Sequence, residues 1–205
     1  MIYFVTAIHT DSGKTLVSAI LAEALQADYW KPVQCGTDQR DLKTVKELVD
    51  NDHCLFYEEA YLLKAPLSPH AAAKKEGKEI RLKDISLPLT DGHDLIIEGA
   101  GGLLVPLNDQ EYVIDIAEKF KAEIILVSNI YLGSINHTLL SINEIKRRGL
   151  KVKGIIFNGP ENPETEEIIL KQSGYNCLLR IRPEANVSHE TVMKYSVKLF
   201  ENWDD

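Results

Sequence analysis

Ile2-Tyr3-Phe4-Val5-Thr6-Ala7-Ile8-His9-Thr10-Asp11-Ser12-Gly13-Lys14-Thr15-Leu16-Val17 is the stretch from which the rest of the chain can be read. Its opening residues are β-branched and aromatic, the composition of a strand. Leu16, Val17, Ile20, Leu21, Ala24 and Leu25 then recur at helical spacing. Between them lies a polar turn ending in Gly-Lys-Thr. Such a turn sets free backbone N–H groups at a positively polarised helix start, where phosphate oxygens bind. Gly13 lets the backbone approach closely, Lys14 reaches the β/γ-phosphates, and Thr15 offers its hydroxyl to Mg²⁺. The strict phosphate-loop pattern wants a glycine where Ile8 stands. Its absence is tolerable only if that part of the loop does not need a positive φ.

Working outward, short apolar runs alternate with amphipathic ones. Residues 29–33 read as a second strand. Residues 95–97, 124–127 and 154–157 are apolar at nearly every position, as strands buried on both faces of a parallel sheet are. Helical patterns occupy 113–120, 135–148, 163–172 and 188–200, a second helix carries Leu42, Val45, Leu48 and Val49, and 178–181 offers a last strand. This alternation predicts a three-layer α/β fold with a mostly parallel sheet, the P-loop NTPase architecture, as a single domain over 1–205. Residues 50–88 are the least regular, with a short helix expected near Ser68-Pro69.

Composition narrows the function. The 205 residues are 44% hydrophobic and 26% charged, with a net charge of -8. That balance excludes a general nucleic-acid surface, which would be basic. The cluster Lys146-Arg147-Arg148 suits a solvated helix C-terminus. No apolar run approaches the ~20 residues that span a bilayer, and no signal-peptide pattern precedes the first strand. Cys35, Cys54 and Cys177 are odd in number and widely spaced, which supports neither a disulfide framework nor a zinc ribbon. A reducing cytoplasm is the expected location.

A phosphate loop needs further magnesium anchors. Glu98 ends an apolar strand ahead of Gly99-Ala100-Gly101-Gly102, and a carboxylate at the C-terminal edge of a parallel strand faces the ligand crevice. Asp41 stands at a helix start, where ligand and helix cap are equally good readings.

Five motifs together resemble one family, the dethiobiotin synthetases. They are the loop Thr10-Asp11-Ser12-Gly13-Lys14-Thr15; Tyr29-Trp30-Lys31-Pro32-Val33-Gln34-Cys35-Gly36; Ala65-Pro66-Leu67-Ser68-Pro69-His70; Glu98-Gly99-Ala100-Gly101-Gly102 with Val105-Pro106-Leu107; and Leu132-Gly133-Ser134-Ile135-Asn136-His137. The family's loop is one residue longer than the strict pattern, which puts its first glycine at Ala7. Beyond Asn158 the resemblance is looser. It implies an ATP-dependent closure of a cyclic urea on 7,8-diaminononanoate with CO₂ or bicarbonate, through a carbamate and its phosphoric anhydride, in biotin synthesis.

The resemblance also implies roles. Lys14 and Lys31 are the catalytic lysines, and Thr15, Asp41 and Glu98 are ligands of Mg²⁺. Asp11, where the family often has glutamate, lies with Ser12, Gly13, Lys14 and Thr15 at the phosphates. Asn158 and Pro183 are implied to meet the adenine. Thr10, Cys35, Gly101, Gly133, Ser134 and Asn136 are implied to meet the diamine substrate. The free N–H groups at the start of 135–148 suit the distant carboxylate of that substrate. The substrate end lies at a subunit interface in the family, which implies a homodimer with Asn136 facing the partner or capping its own helix. Two relatives of the fold compete: a ParA/MinD-like ATPase switch, which carries a signature lysine where His9 stands here, and an amidoligase of cobalamin synthesis.

Overall fold

Strands that are apolar at every position need apolar surroundings on both faces, and helices on either side of one sheet supply them. The structure, a computed structural model, describes residues 1–203. Its elements in chain order are β1 (Ile2–Ala7), α1 (Lys14–Leu25), β2 (Asp28–Trp30), β3 (Val33–Cys35), α2 (Asp41–Leu48), β4 (Phe56–Tyr57), β5 (Tyr61–Leu63), α3 (Pro69–Lys75), β6 (Leu95–Gly102), α4 (Ile114–Phe120), β7 (Glu123–Asn129), α5 (Ser134–Arg147), β8 (Val152–Asn158), α6 (Pro163–Ser173), β9 (Cys177–Ile181) and α7 (His189–Glu201). Seven strands pair in parallel in the order β4-β2-β6-β1-β7-β8-β9, while β3 and β5 form a separate parallel pair.

Successive side chains alternate between the two faces. Tyr3 and Val5 of β1, Ile96 of β6, Ile125 and Val127 of β7 and Ile156 of β8 enter one cluster, with Ile20 of α1, Val45 of α2 and Val192 and Leu199 of α7. Phe4, Ile97, Ile124, Leu126 and Phe157 enter the other, with Ala72 of α3, Ile116 of α4, Ile145 of α5 and Ile169 of α6. The expected three-layer fold with a parallel sheet is the observed one.

Five of the helix starts fall into two kinds. α7 opens with a capping box between Ser188 and Thr191, α6 with Asn162 accepting from the Thr165 N–H, and α3 with Pro69 in its first turn. α1 and α5 open on glycines in the left-handed region, Gly13 at φ 93° and Gly133 at φ 104°, without a side-chain cap. Their first N–H groups stay free of side-chain acceptors, and α1 starts at the C-terminal edge of the central strand.

Several expectations need correction. The strand expected over 29–33 is two strands in two sheets, because Pro32 has no N–H for a ladder and β3 turns away to pair with β5. Glu98 does not end its strand: β6 continues to Gly102, and the register with β1 slips between Val5↔Glu98 and Ala7↔Gly102. This bulge is where Gly101 takes φ 72°. The basic end of α5 is more than a solvated helix terminus. Arg148 pairs with Glu144, Asp115 and Glu118, and Lys146 donates to the Ser173 carbonyl at 2.7 Å, tying α5 to α4 and α6.

Gly154 on β8 is where β9 presses closest: a Cβ there would lie 2.6 Å from Leu178 Cγ and 2.9 Å from the Asn176 carbonyl oxygen. Gly154→Ala is predicted to lower stability by about 1–3 kcal/mol, read as a lower urea midpoint at unchanged slope.

Candidate active site

The loop between β1 and α1 bends with only two positive φ angles, Asp11 at 60° and Gly13 at 93°. Ala7 and Ile8 are not in that region, so neither needs to be glycine. Ile8 N–H donates to the Val127 carbonyl at 3.2 Å, which continues the sheet one residue past β1. Ser12 is fully buried, and its hydroxyl lies 3.0 Å from the His9 carbonyl and 2.9 Å from Asn129 Oδ1. Its side chain therefore holds the loop from within. Asn158 supports the loop from β8 by donating Nδ2 to the Ser12 carbonyl at 2.9 Å. A Cβ on Gly13 would meet that same Nδ2 at 2.3 Å.

Behind Lys14 three oxygen-bearing side chains converge. Thr15 Oγ1 lies 3.0 Å from Asp41 Oδ1 and 3.0 Å from Glu98 Oε1. The Lys31 ammonium bridges both carboxylates, pairing with Asp41 and lying 3.0 Å from Glu98 Oε1. Asp41 does not cap α2, which begins at Asp41 itself; its carboxylate turns to Lys31 and Thr15 instead. Glu98 is 1% exposed and Lys31 5%. Burial works against the Lys31 charge, but Glu98 and Asp41 outweigh it and hold the pKa above the ordinary lysine value. Lys14 lacks a comparably close carboxylate, and burial lowers its pKa despite the pull of Glu98.

Two carboxylates and a hydroxyl beside a phosphate loop suit Mg²⁺, which takes one or two carboxylates and completes its shell with water and substrate phosphates. Among the described residues no cluster of three His, Cys, Asp or Glu side chains could hold a metal. The donor set is oxygen-rich and hard.

Thr10, Asp11, Gly13, Lys14, Thr15, Lys31, Cys35, Asp41, Glu98 and Gly101, all singled out from the sequence, line one cavity of about 780 Å³. Others lie outside it. Pro183 is exposed on the loop after β9, Ser134 is buried at the start of α5, and Gly133 and Asn136 are exposed there. Asn136 makes no cap of its own helix. A second cavity of about 470 Å³ adjoins the first across Thr10, Ser68 and Val105, with His137 and Leu140 of α5 on its far side.

A family model described as an AAA domain matches residues 2–191. The ATP-dependent dethiobiotin synthetase BioD of Cytophaga hutchinsonii is 61% identical over 201 residues, covering 98% of this chain and 98% of the relative. That of Christiangramia forsetii is 49% identical over 197 residues, covering 96% and 94%. This chain belongs to the dethiobiotin synthetase family. The Pyrococcus furiosus cell division ATPase MinD shares the fold at TM-score 0.61, covering 100% of this chain and 99% of its own, at 18% identity. A ParA family ATPase from Chlorobium tepidum does so at 0.55, covering 98% and 95%, at 14% identity. These likenesses concern the fold alone.

Two side chains at the site belong to the motif Tyr29–Gly36, but sequence alone assigns neither a role of its own. Tyr29 is fully buried and donates its hydroxyl to Glu98 Oε2 at 2.9 Å. Gln34 is 4% exposed and bonds the turn leading to Asp41. A tyrosine in an apolar strand reads as core, and only the fold reveals the carboxylate beside it.

Burial pushes the Cys35 thiol up to about 11, against the pull of Lys31. Because the thiolate is the reactive form, carboxamidomethylation of Cys35 at neutral pH is predicted to run roughly a hundredfold slower than that of a free cysteine. Its rate should climb with pH through that value, as peptide mass spectrometry would report.

Proposed function

We propose that the cavity closes a urea ring on 7,8-diaminononanoate using CO₂ and ATP, which makes the chain an ATP-dependent ligase of biotin synthesis acting through one domain. The observation that carries this reading is the convergence of Lys14, Lys31, Thr15, Asp41 and Glu98 on one cavity at the free N-terminus of α1, in a chain 61% identical to a dethiobiotin synthetase. ATP would lay its phosphates along Asp11, Ser12, Gly13, Lys14 and Thr15, with Asn158 and the loop at Pro183 toward the adenine. Thr15, Asp41 and Glu98 would hold Mg²⁺, which when bound neutralises phosphate charge.

One amine of the substrate adds to the carbon of CO₂ and loses a proton, leaving a carbamate. A carbamate oxygen attacks the γ-phosphorus and ADP departs, giving a carbamic-phosphoric anhydride. The second amine attacks the carbamoyl carbon and loses a proton, phosphate leaves, and the ring closes. Both early partners are anions, so their approach requires concentrated positive charge, and phosphoryl transfer is mainly positioning and electrostatic stabilisation. Lys14 and Lys31 supply that charge from the cavity wall. Thr10, Cys35 and Gly101 lie where the diamine end would sit.

The aliphatic substrate would run along the second cavity, whose rim exposes Leu104 and Leu140 near exposed Leu132 and Ile135. We propose that a second copy covers this face, bringing its own Gly133, Ser134 and Asn136 to the substrate carboxylate. Among the described residues no helix is long and apolar enough to cross a membrane, and all three cysteines are free thiols. Unpaired thiols suit work in the reducing cytoplasm.

With Mg-ATP, ADP release is expected only when diaminononanoate and bicarbonate are both present. ATP turnover that needs neither would overturn the reading. Lys31→Met should lower kcat by on the order of 10²–10³, as a coupled ADP assay would measure; full activity in that variant would remove Lys31 from the chemistry.

A further inference from the structure

Lys31 is flanked by Tyr29 on β2 and Gln34 on β3, and the chemistry above uses neither. Tyr29 is in register with Ile96, so it shares a sheet face with Glu98, two residues further along β6. From there its hydroxyl donates to Glu98 Oε2, while the other oxygen, Oε1, lies 3.0 Å from Thr15 Oγ1 and from Lys31 Nζ. The phenol thus fixes the rotation of the carboxylate and presents a single oxygen to the site.

Gln34 acts on the other carboxylate through the backbone. α2 starts at Asp41, and Arg40 provides no side-chain cap for it. Gln34 Oε1 accepts the Asp41 N–H at 3.3 Å, one of the helix-start donors that lack an intrahelical partner. Its Nε2 reaches the Cys35 and Gly36 carbonyls, each at 3.2 Å. One amide therefore closes the turn between β3 and α2 and sets where the Asp41 carboxylate projects.

We propose that Tyr29 and Gln34 are positioning residues for the divalent cation, Tyr29 through Glu98 and Gln34 through Asp41. The proposal rests on the reading of Thr15, Asp41 and Glu98 as the magnesium ligands. Groups that orient metal ligands from behind set affinity by limiting how far those ligands can turn, and losing one weakens metal binding by about ten- to a hundredfold.

The test is calorimetric titration of Mg²⁺ into ADP-saturated protein for wild type, Tyr29→Phe, Gln34→Met and Asp41→Asn, with ADP affinity measured separately in EDTA. Tyr29→Phe keeps the buried ring, and Gln34→Met keeps the length and bulk of the side chain, so either variant alone is a sufficient test. Expected are Mg²⁺ dissociation constants raised about tenfold or more in both, with metal-free ADP affinity unchanged. In the coupled assay the Mg²⁺ requirement should rise while kcat at saturating Mg²⁺ recovers. Unchanged Mg²⁺ affinity in either variant would overturn the proposal, even if its urea midpoint fell. So would a parallel loss of metal-free ADP affinity, which marks collapse of the whole site. If Asp41→Asn also left Mg²⁺ affinity unchanged, the ligand assignment would fail and the positioning role with it.

Discussion

Two carboxylates share one ammonium inside the wall of the cavity, and most of the local architecture exists to make that arrangement tolerable. Removing an ion from water costs several kcal/mol even after the protein relaxes. Glu98 and Asp41 would repel each other if left alone. Lys31 lies between them, and Thr15 and Tyr29 bring hydroxyls to the remaining oxygens. Each of these groups comes from a different element: α1, β2, the turn after β2, the start of α2 and β6. The charges can coexist only if five pieces of chain hold their places.

That rigidity comes from elsewhere. A buried ion cluster of this kind adds little net stability, whereas the sheet buries apolar residues on both faces. Val5 and Ile96 lie under one helical layer, and Phe4 and Ile97 under the other. The bulge in β6 interrupts this regularity beside the site, and it falls just past Glu98. There the strand gives up its register with β1 and turns through Gly101, whose Cα lies close enough that a Cβ would meet Val105 at 2.9 Å and Thr10 at 3.5 Å. Regular pairing supplies the stiffness, and its interruption supplies the room for a ligand.

The fold was largely legible because doubly buried strands and amphipathic helices write their periods directly into the sequence. The phosphate loop was legible for a similar reason: Gly13, Lys14 and Thr15 are consecutive. What sequence did not reveal depends on contacts between distant segments. Asn158 reaches the loop at Ser12, and nothing local to β8 announces it. The inward turn of Ser12 depends on Asn129, at the end of β7. Asp41 stood equally well as ligand or cap until the helix was seen to start on it. Residues 29–33 carry strand composition throughout, so the split at Pro32 appears only when β3 finds β5. The start of α5 and Pro183 lie away from the main cavity, and their proposed roles rest on resemblance.

The sheet order also bears on how the chain comes to be assembled. β1 lies between β6 and β7, so the strand that introduces the phosphate loop has no partner until much later segments exist. Ile8 donates its N–H to the Val127 carbonyl, and Ser12 leans on Asn129. During synthesis at ~5–20 residues per second, the chain from Ala7 to Asn129 takes on the order of ten seconds to appear. Throughout that interval the apolar β1 must wait unpaired, and the loop cannot take its ligand-ready shape. A motif written near the start of the chain thus waits on strands written far later.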